Sequence, residues 1–434
     1  MKVVKLKEVI SEFIVPMRDK PKVFSGSIPW CKIEDISGKY LYGSKSHKYV
    51  SNKTIELMNL KVYPLNTLLF TCSATIGVTA ITKVSLCTNQ TFIGLVPSNK
   101  IDVEFLYYYL FLIGKDLKKA ASVTTIPYLS RMFFENLELE IPDRIIQESN
   151  SKILSDLDAK IELNNKINQE LGAMAKLLYD YWFVQFDFPN KEGKPYKSSG
   201  GKMIYSEALK REIPEGWEIE KLSFSCKIID CLHSKKSDYS FEDEKYYLLQ
   251  LNNIRNDGLI DLSKKYYVSS IDYNKWTGRI EVQDNDLVIT NAGRVAGLAQ
   301  IPKFVIAGIG RNITAIRPET IEPTFLYYTF KGAEMERQIK LNTDTGSFFN
   351  SLNVRGIKEL LVVRPPKDLE EKFEQITLPQ RRKRELNQKE NQKLAELRDW
   401  LLPMLMNGQV TVGNYKETDS NLGVVAEKES KYGE

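Results

Sequence analysis

Two long stretches of the chain carry matching sets of apolar residues, the first in alternating steps of three and four. In the first, Ile153, Leu157, Ile167, Leu171, Met174, Leu178 and Tyr181 recur, with Asn164 in the same stripe. The spacing predicts an amphipathic helix from about Asp143 to about Phe183. In the second, Ile376, Leu394, Leu397 and Leu401 recur, with Asn387 among them, and predict a helix from about Lys367 to Met406. Ile141-Pro142 and Arg364-Pro365-Pro366 precede these helices. Proline pushes the residue before it into extended backbone, so each helix is entered from an extended segment. The chain ahead of each helix carries short apolar runs instead. Leu68-Leu69-Phe70 and Leu287-Val288-Ile289 are the clearest, and they read as buried strands between loops. The fold class is therefore mixed α/β (α+β), with each strand-rich region followed by one long helix.

The chain repeats itself. ELNNKINQEL at Glu162–Leu171 matches ELNQKENQKL at Glu385–Leu394 at seven of ten positions, an offset of 223. FLYYYL from Phe105 matches FLYYTF from Phe325, and the run from Leu68 aligns with the run from Leu287, at offsets of 220 and 219. Three matches in one order, with slow drift, mean two homologous halves separated by small loop insertions. The expected organisation is a first head at 1–141, a helix at 142–186, a linker at 187–212 rich in Pro, Gly and Ser, a second head at 213–365, a helix at 366–408, and a polar tail at 409–434 expected to be disordered. Packing the two helices on each other as an antiparallel coiled coil would bury both stripes and carry the heads to opposite ends. Asn164 and Asn387 would then set register. Pro379 should kink or delay the second helix. RRKR at Arg381–Arg384 fits either phosphate contact or a solvated helix face turned to an acidic partner surface. Tyr107, Tyr108, Tyr327 and Tyr328 read as core.

Composition narrows the class. The 434 residues include 61 Lys and Arg against 56 acids, a net charge of +5 that permits nucleic-acid binding without arguing for it. The longest strongly apolar stretch, Phe105–Ile113, is too short to span a bilayer, and the first residues lack a secretory pattern. Cys31, Cys72, Cys87, Cys226 and Cys231 are scattered and read as reduced thiols, so a cytoplasmic location is expected and no membrane partner. Two histidines, His47 and His233, disfavour a His-rich zinc site or an acyl-transfer triad.

Catalytic motifs are missing. The Pro365-Pro366 pair lacks the flanking amide and aromatic of a base-amine methyltransferase, and Gly200-Gly201-Lys202-Met203 lacks the spacing and hydroxyl of a phosphate-binding loop. Pro142-Asp143 and Asp158-Ala159-Lys160 resemble a nuclease pattern. Both lie on the first predicted helix, which separates the carboxylates by roughly 22 Å, too far to share a metal ion. No catalytic or metal-binding residue is expected.

Two repeated segments are suited to contacting DNA. Thr71 and Ser73, paired with Asn291 and Arg294, lie on turns after an apolar strand, and Arg294 has the fork that fits guanine. Thr124, Thr125, Tyr128 and Arg131 are paired with Ser347 and Asn350 just ahead of each head's last strand. Arg311 and Asn312, with Lys45, Lys48, Lys235 and Lys236, are weaker candidates for neutralising phosphates.

The ELNxKxNQxL repeat, LPQRR at Leu378–Arg382, NGQV at Asn407–Val410, and FDFPNKEGKPYKSSGGKM at Phe186–Met203 ahead of IPEGW make the chain similar to the specificity subunit of a type I restriction-modification system. The resemblance covers roughly residues 1 to 412. It implies that each head is a target-recognition domain reading half of a bipartite site on double-stranded DNA. It implies that the paired helices space the heads and dock methyltransferase subunits, which restriction subunits then join. S-adenosylmethionine, ATP and Mg would belong to those partner subunits, and no cofactor to this chain. The alternatives are the specificity subunit of a related type II system, a standalone nuclease, and a coiled-coil scaffold.

Overall fold

The computed structural model describes residues 1–16, 20–73, 75–121, 128–232, 237–241, 243–345 and 350–410. Thr124, Thr125, Ser347, Lys235, Lys236 and nearly all of the polar tail lie outside these. The chain divides into two compact units, Met1–Lys160 with Leu394–Glu434, and Ile161–Lys393. Each unit therefore takes part of both long helices, so the units differ from a linear order of head, helix, head and helix. The cores give the reason. In the first unit Leu402, Leu405 and Met406, from the end of the second helix, are buried with Leu6, Phe134, Leu139 and Leu154. In the second, Ala175, Tyr179 and Trp182, from the end of the first helix, are buried with Phe325 and Phe373.

The first unit holds a five-stranded sheet in the spatial order Ile10–Ile14, Phe92–Pro97, Leu68–Thr71, Thr79–Thr82 and Tyr40–Leu41. A smaller sheet pairs Ile28–Cys31 with Tyr49–Val50 and, in parallel, with Cys87–Thr88. The second unit repeats the plan. Its four-stranded sheet runs Cys226–Asp230, Ile313–Pro318, Leu287–Thr290 and Leu298–Gln300, and Tyr247–Leu249 lies parallel to Gly308–Ile309 in the smaller one. All four residues of Leu68–Thr71 and of Leu287–Thr290 are buried, which is why each run is apolar up to its closing threonine rather than alternating. Helix Val103–Ala121 and helix Pro323–Phe330 bring Tyr107, Tyr108, Tyr327 and Tyr328 into the cores, all buried. All five cysteines are buried free thiols.

The first long helix is α-helical over Arg144–Tyr179 and ends in a π turn at Asp180–Val184 that buries Trp182 and Phe183. The second spans Lys367–Met406 without a break. Pro379 neither delays nor interrupts it. Pro379 and Gln375, whose carbonyl loses its donor, are both exposed, where water can take that bond.

Within each unit the helices run antiparallel. In the first, Asn150 Nδ2 donates to the Leu405 carbonyl at 2.8 Å and Arg398 pairs with Asp158 at 2.8 Å. In the second, Asn164 Nδ2 donates to Glu390 and Asn391 at 2.8 and 2.9 Å, Asn168 Nδ2 to the Arg384 carbonyl at 3.2 Å, and Asn387 Nδ2 to Asn168 Oδ1 at 2.9 Å. Asn164 and Asn387 are thus contact residues. The expected seam is buried only in part: its Asn164 and Asn387 are buried, and its Ile153, Leu178 and Leu401 pack against the cores. Met174, Tyr181, Ile376 and Leu397 are exposed, while Gln147, Asn150, Ser151, Asn168 and Asn387 are buried. Periodicity counts apolar residues only. It misses polar positions bonded to distant partners, Asn150, Asn168 and Asn387 to the opposite helix and Gln147 and Ser151 to Lys100 and Asp102 of the first head.

RRKR also lands elsewhere than expected. Arg381 is buried against Glu385 and Asp284, Arg382 pairs with Asp284 at 2.5 Å, and Arg384 donates to the Asp257 carbonyl at 2.9 Å. The acidic surface these arginines face is the protein's own. The segment after the first helix, linker-like in composition, is also built. Phe188 stacks on Tyr196 with centroids 4.6 Å apart, Ser198 donates twice to Asp187, and Met203–Ser206 pairs with Arg211–Pro214.

Candidate nucleic-acid interface

In each unit the turn after the central strand is closed by a threonine. Thr71 Oγ1 donates to the Thr75 carbonyl at 2.5 Å and accepts from Val78 N–H at 2.9 Å. Thr290 Oγ1 donates to the Arg294 carbonyl and accepts from Gly297 N–H at 2.8 Å. Gly77 and Ala296 occupy left-handed backbone at the same point, φ 99° and 63°. Both threonines are fully buried, so Thr71 latches a turn and offers nothing to a ligand. Thr290→Val would strand two polar backbone groups and should cost about 1–3 kcal/mol in chemical denaturation, with Thr290→Ser close to wild type.

That turn is tied to two other loops. Cys72 N–H donates to the Thr91 carbonyl at 2.8 Å, and Leu129 N–H donates to the Cys72 carbonyl at 2.9 Å. The second unit has the same pair of bonds. Asn291 N–H donates to the Asn312 carbonyl at 3.0 Å, and Leu352 N–H donates to the Asn291 carbonyl at 2.8 Å. Ser73 bridges Tyr128, and Ala292 bridges Ser351. The two candidate segments read separately from the sequence are therefore one surface in each unit. A 3-10 turn completes the cluster, Ile33–Asp35 in the first unit and Leu251–Asn253 in the second. It is closed by Lys32 N–H donating to Asp35 at 2.6 Å and by Gln250 N–H donating to Asn253 at 2.7 Å.

The candidates divide by what their side chains already hold. Asn291 is buried, and its Nδ2 donates to Asp230 and Thr314 at 3.2 and 3.1 Å, so it is structural. Arg294 is exposed, but its guanidinium donates to Asn256 at 3.0 Å and to the Ile254 carbonyl, bracing the neighbouring loop. Arg131 pairs with Glu135 at 2.7 Å and lies over Phe13. Lys45 donates to the Glu34 carbonyl at 3.3 Å and Lys48 lies over Phe24. Ser73 is half-buried, and Tyr128 and Asn350 are exposed on the cluster. Arg311 is exposed, and Asn312 sits beside it in left-handed backbone at φ 64°. In the second unit Gln250, Asn252, Arg311, Asn312, Tyr266 and Trp276 help line a cleft of about 240 Å³. Sequence reading missed Gln250 and Asn252, and missed Asn89, Gln90 and Thr91 in the first unit. The signal was present in the alignment of Asn89-Gln90-Thr91 with Gly310-Arg311-Asn312.

Burial pushes the Cys31 and Cys87 thiols beside the cluster up to about 12, with Asp35 adding to the shift at Cys31, so neither supplies a thiolate at neutral pH. Asp158, half of the nuclease-like pattern, accepts from Tyr108 at 2.6 Å and pairs with Arg398. Among the described residues no group of three or more His, Cys, Asp or Glu side chains converges as a metal site, and no helix is long and apolar enough to cross a membrane.

Two homologous units, each presenting matched loops on a mixed sheet and containing antiparallel segments of the two long helices, define a duplicated α/β protein. Residues 1–173 match the family model described as type I restriction modification DNA specificity domain. The chain is 24% identical to the type I restriction enzyme MjaIX specificity subunit of Methanocaldococcus jannaschii, over 90% of this chain and 88% of that protein. It is 25% identical to the MjaVIII specificity subunit of the same organism, over 92% of this chain and 93% of that protein. The fold is similar to that of the type I restriction-modification S subunit from M. genitalium, at TM-score 0.52 and 16% identity, over 93% of this chain and 96% of that one. Over nearly its whole length the chain is thus similar to type I restriction enzyme specificity subunits.

Proposed function

We propose that this chain is the DNA-reading subunit of a type I restriction-modification complex, with each loop cluster reading one half of an interrupted target. The observation that carries this reading is the pairing of constant and variable parts. The backbone bonds that assemble the cluster are the same in both units, while the exposed side chains on it differ. One scaffold with two side-chain sets suits two different half-sites.

The chain itself supplies no cleavage or methyl transfer in this reading. S-adenosylmethionine, ATP and Mg act in partner methyltransferase and restriction subunits, beside chromosomal DNA in the cytoplasm. The long helices dock the methyltransferase subunits. Leu163, Met174 and Leu177 on the first helix are exposed, and so are their repeats at the 223 offset, Leu386, Leu397 and Trp400 on the second. Apolar side chains left in water at equivalent positions of a repeat support two like surfaces for two copies of one partner.

Co-expression with a cognate methyltransferase subunit should give one sequence-specific adenine mark, read by modification-sensitive sequencing. Exchanging the head of one unit for that of a relative should change one half of the marked site and leave the other. An assembled, active complex that marks adenines without sequence preference would refute the reading.

A further inference from the structure

We infer that Gln90 in the first unit and Arg311 in the second are equivalent base-reading positions, Gln90 selecting an adenine in one half-site and Arg311 a guanine in the other. This rests on the DNA-recognition reading above and adds which side chains read, and what.

The equivalence follows from strand register. Thr71 lies opposite Phe92, and Thr290 lies opposite Ile313. The three residues ahead of Phe92 are Asn89-Gln90-Thr91, and those ahead of Ile313 are Gly310-Arg311-Asn312. Each triplet leaves a parallel strand pair, Cys31 opposite Thr88 and Leu249 opposite Ile309. Each is held at its far end by the bond from the latched turn, Cys72 N–H to Thr91 and Asn291 N–H to Asn312. The backbone of the middle residue is thus fixed on both sides in both units.

The middle side chain is the one left over. Gln90 and Arg311 are exposed, whereas Asn89, Thr91 and Asn312 are half-buried and Gly310 is buried. Among the described residues neither Gln90 nor Arg311 makes a side-chain hydrogen bond or ion pair, unlike Arg294, Arg131, Asn291 and Thr71. A long polar side chain on a fixed loop reaches a groove without ordering backbone on binding. Facing it across the cluster is the 3-10 turn. There Lys32 and Gln250 are half-buried, and Glu34 and Asn252 exposed, at matched positions.

The two side chains differ in what they match. A guanidinium presents two parallel donors, which fit O6 and N7 of guanine in the major groove. A carboxamide presents one donor and one acceptor, which fit N7 and N6 of adenine. The same position would therefore read a different base in each half.

The test uses the complex assembled with its methyltransferase partner, its target mapped, and duplexes carrying single substitutions. Arg311→Gln should cut the preference for guanine at one position of one half-site by about tenfold or more, with the other half unchanged. Gln90→Arg should act in the same way on an adenine of the other half. Replacing the selected guanine by 7-deazaguanine, which lacks N7, should weaken the wild type and leave Arg311→Gln indifferent. A merely structural role would not produce that pattern. Unchanged preference at every position in both variants would overturn the inference while leaving the subunit's function standing. So would equal sensitivity of wild type and Arg311→Gln to 7-deazaguanine. Absence of any sequence-specific mark in the wild-type complex would instead remove the reading on which it rests.

Discussion

Arg364→Met is expected to destabilise the protein by about 3–5 kcal/mol in denaturant unfolding, because it leaves a buried carboxylate without its cation. Glu370 is fully buried and accepts from Arg364 Nε at 2.7 Å. The same guanidinium donates to Glu220 at 2.5 Å and to the Thr320 carbonyl at 2.9 Å. Burial raises the Glu370 carboxyl above its ordinary range, and Arg364 opposes that rise. Removing the arginine leaves burial opposed only by the Glu322 N–H and the Lys367 ammonium. A carboxyl whose folded value is raised favours the fold while protonated, below its unfolded value. That contribution is lost as pH rises through the folded value. The deficit of Arg364→Met should therefore be full at neutral pH and shrink as the pH falls toward the ordinary carboxyl range. Adding Glu370→Leu should recover much of the loss, because the uncompensated charge is gone. A deficit that stays constant with pH, or that the second substitution fails to reduce, would place the cost in lost packing.

Gly94→Ala should be nearly as damaging, about 3 kcal/mol, although it adds one methyl group. A Cβ at Gly94 would lie 2.3 Å from Tyr63 Cε1 and 2.4 Å from Cδ1. Tyr63 cannot retreat. It is fully buried and its hydroxyl accepts from Thr88 at 3.1 Å. The second unit shows the alternative solution. Gly94 lies opposite Leu69, and the matching strand places Ala315 opposite Val288. Tyr63 bridges Leu86, and at the matching bridge Val282 faces Ala307. Large aromatic with glycine in one unit has become smaller aliphatic with alanine in the other. Gly94→Ala combined with Tyr63→Val should therefore cost less than the two single changes added together, with a favourable coupling on the order of 1–3 kcal/mol. Strict additivity across the four proteins would mean the two positions do not constrain each other.

Much of the architecture was legible in the residues, for a definite reason. Duplication leaves its trace wherever packing demands the same side chain twice, as in ELNNKINQEL and FLYYYL, and long helices declare themselves by period. The loops were less legible. Thr71 and Arg294 looked like readers because hydroxyl and guanidinium groups can bind DNA, and residue type does not tell whether the group is already bonded. Gln90 was passed over because nothing local distinguishes it from any surface glutamine. Its place becomes visible only when the register of Phe92 is set against that of Ile313.

The sequence by itself determined that there are two homologous units, that each carries a long helix, and that the fold is mixed α/β. These follow from local periodicity and from repetition, which need no knowledge of distant neighbours. Only the tertiary structure decided which helix face is buried, where Arg381 and Arg382 find their carboxylates, and which loop side chains remain unbonded. Those outcomes depend on partners far away in the chain, such as Asn150 with Leu405 or Arg381 with Asp284. A polar group's role is set by whether folding satisfies it, and that is a property of its surroundings.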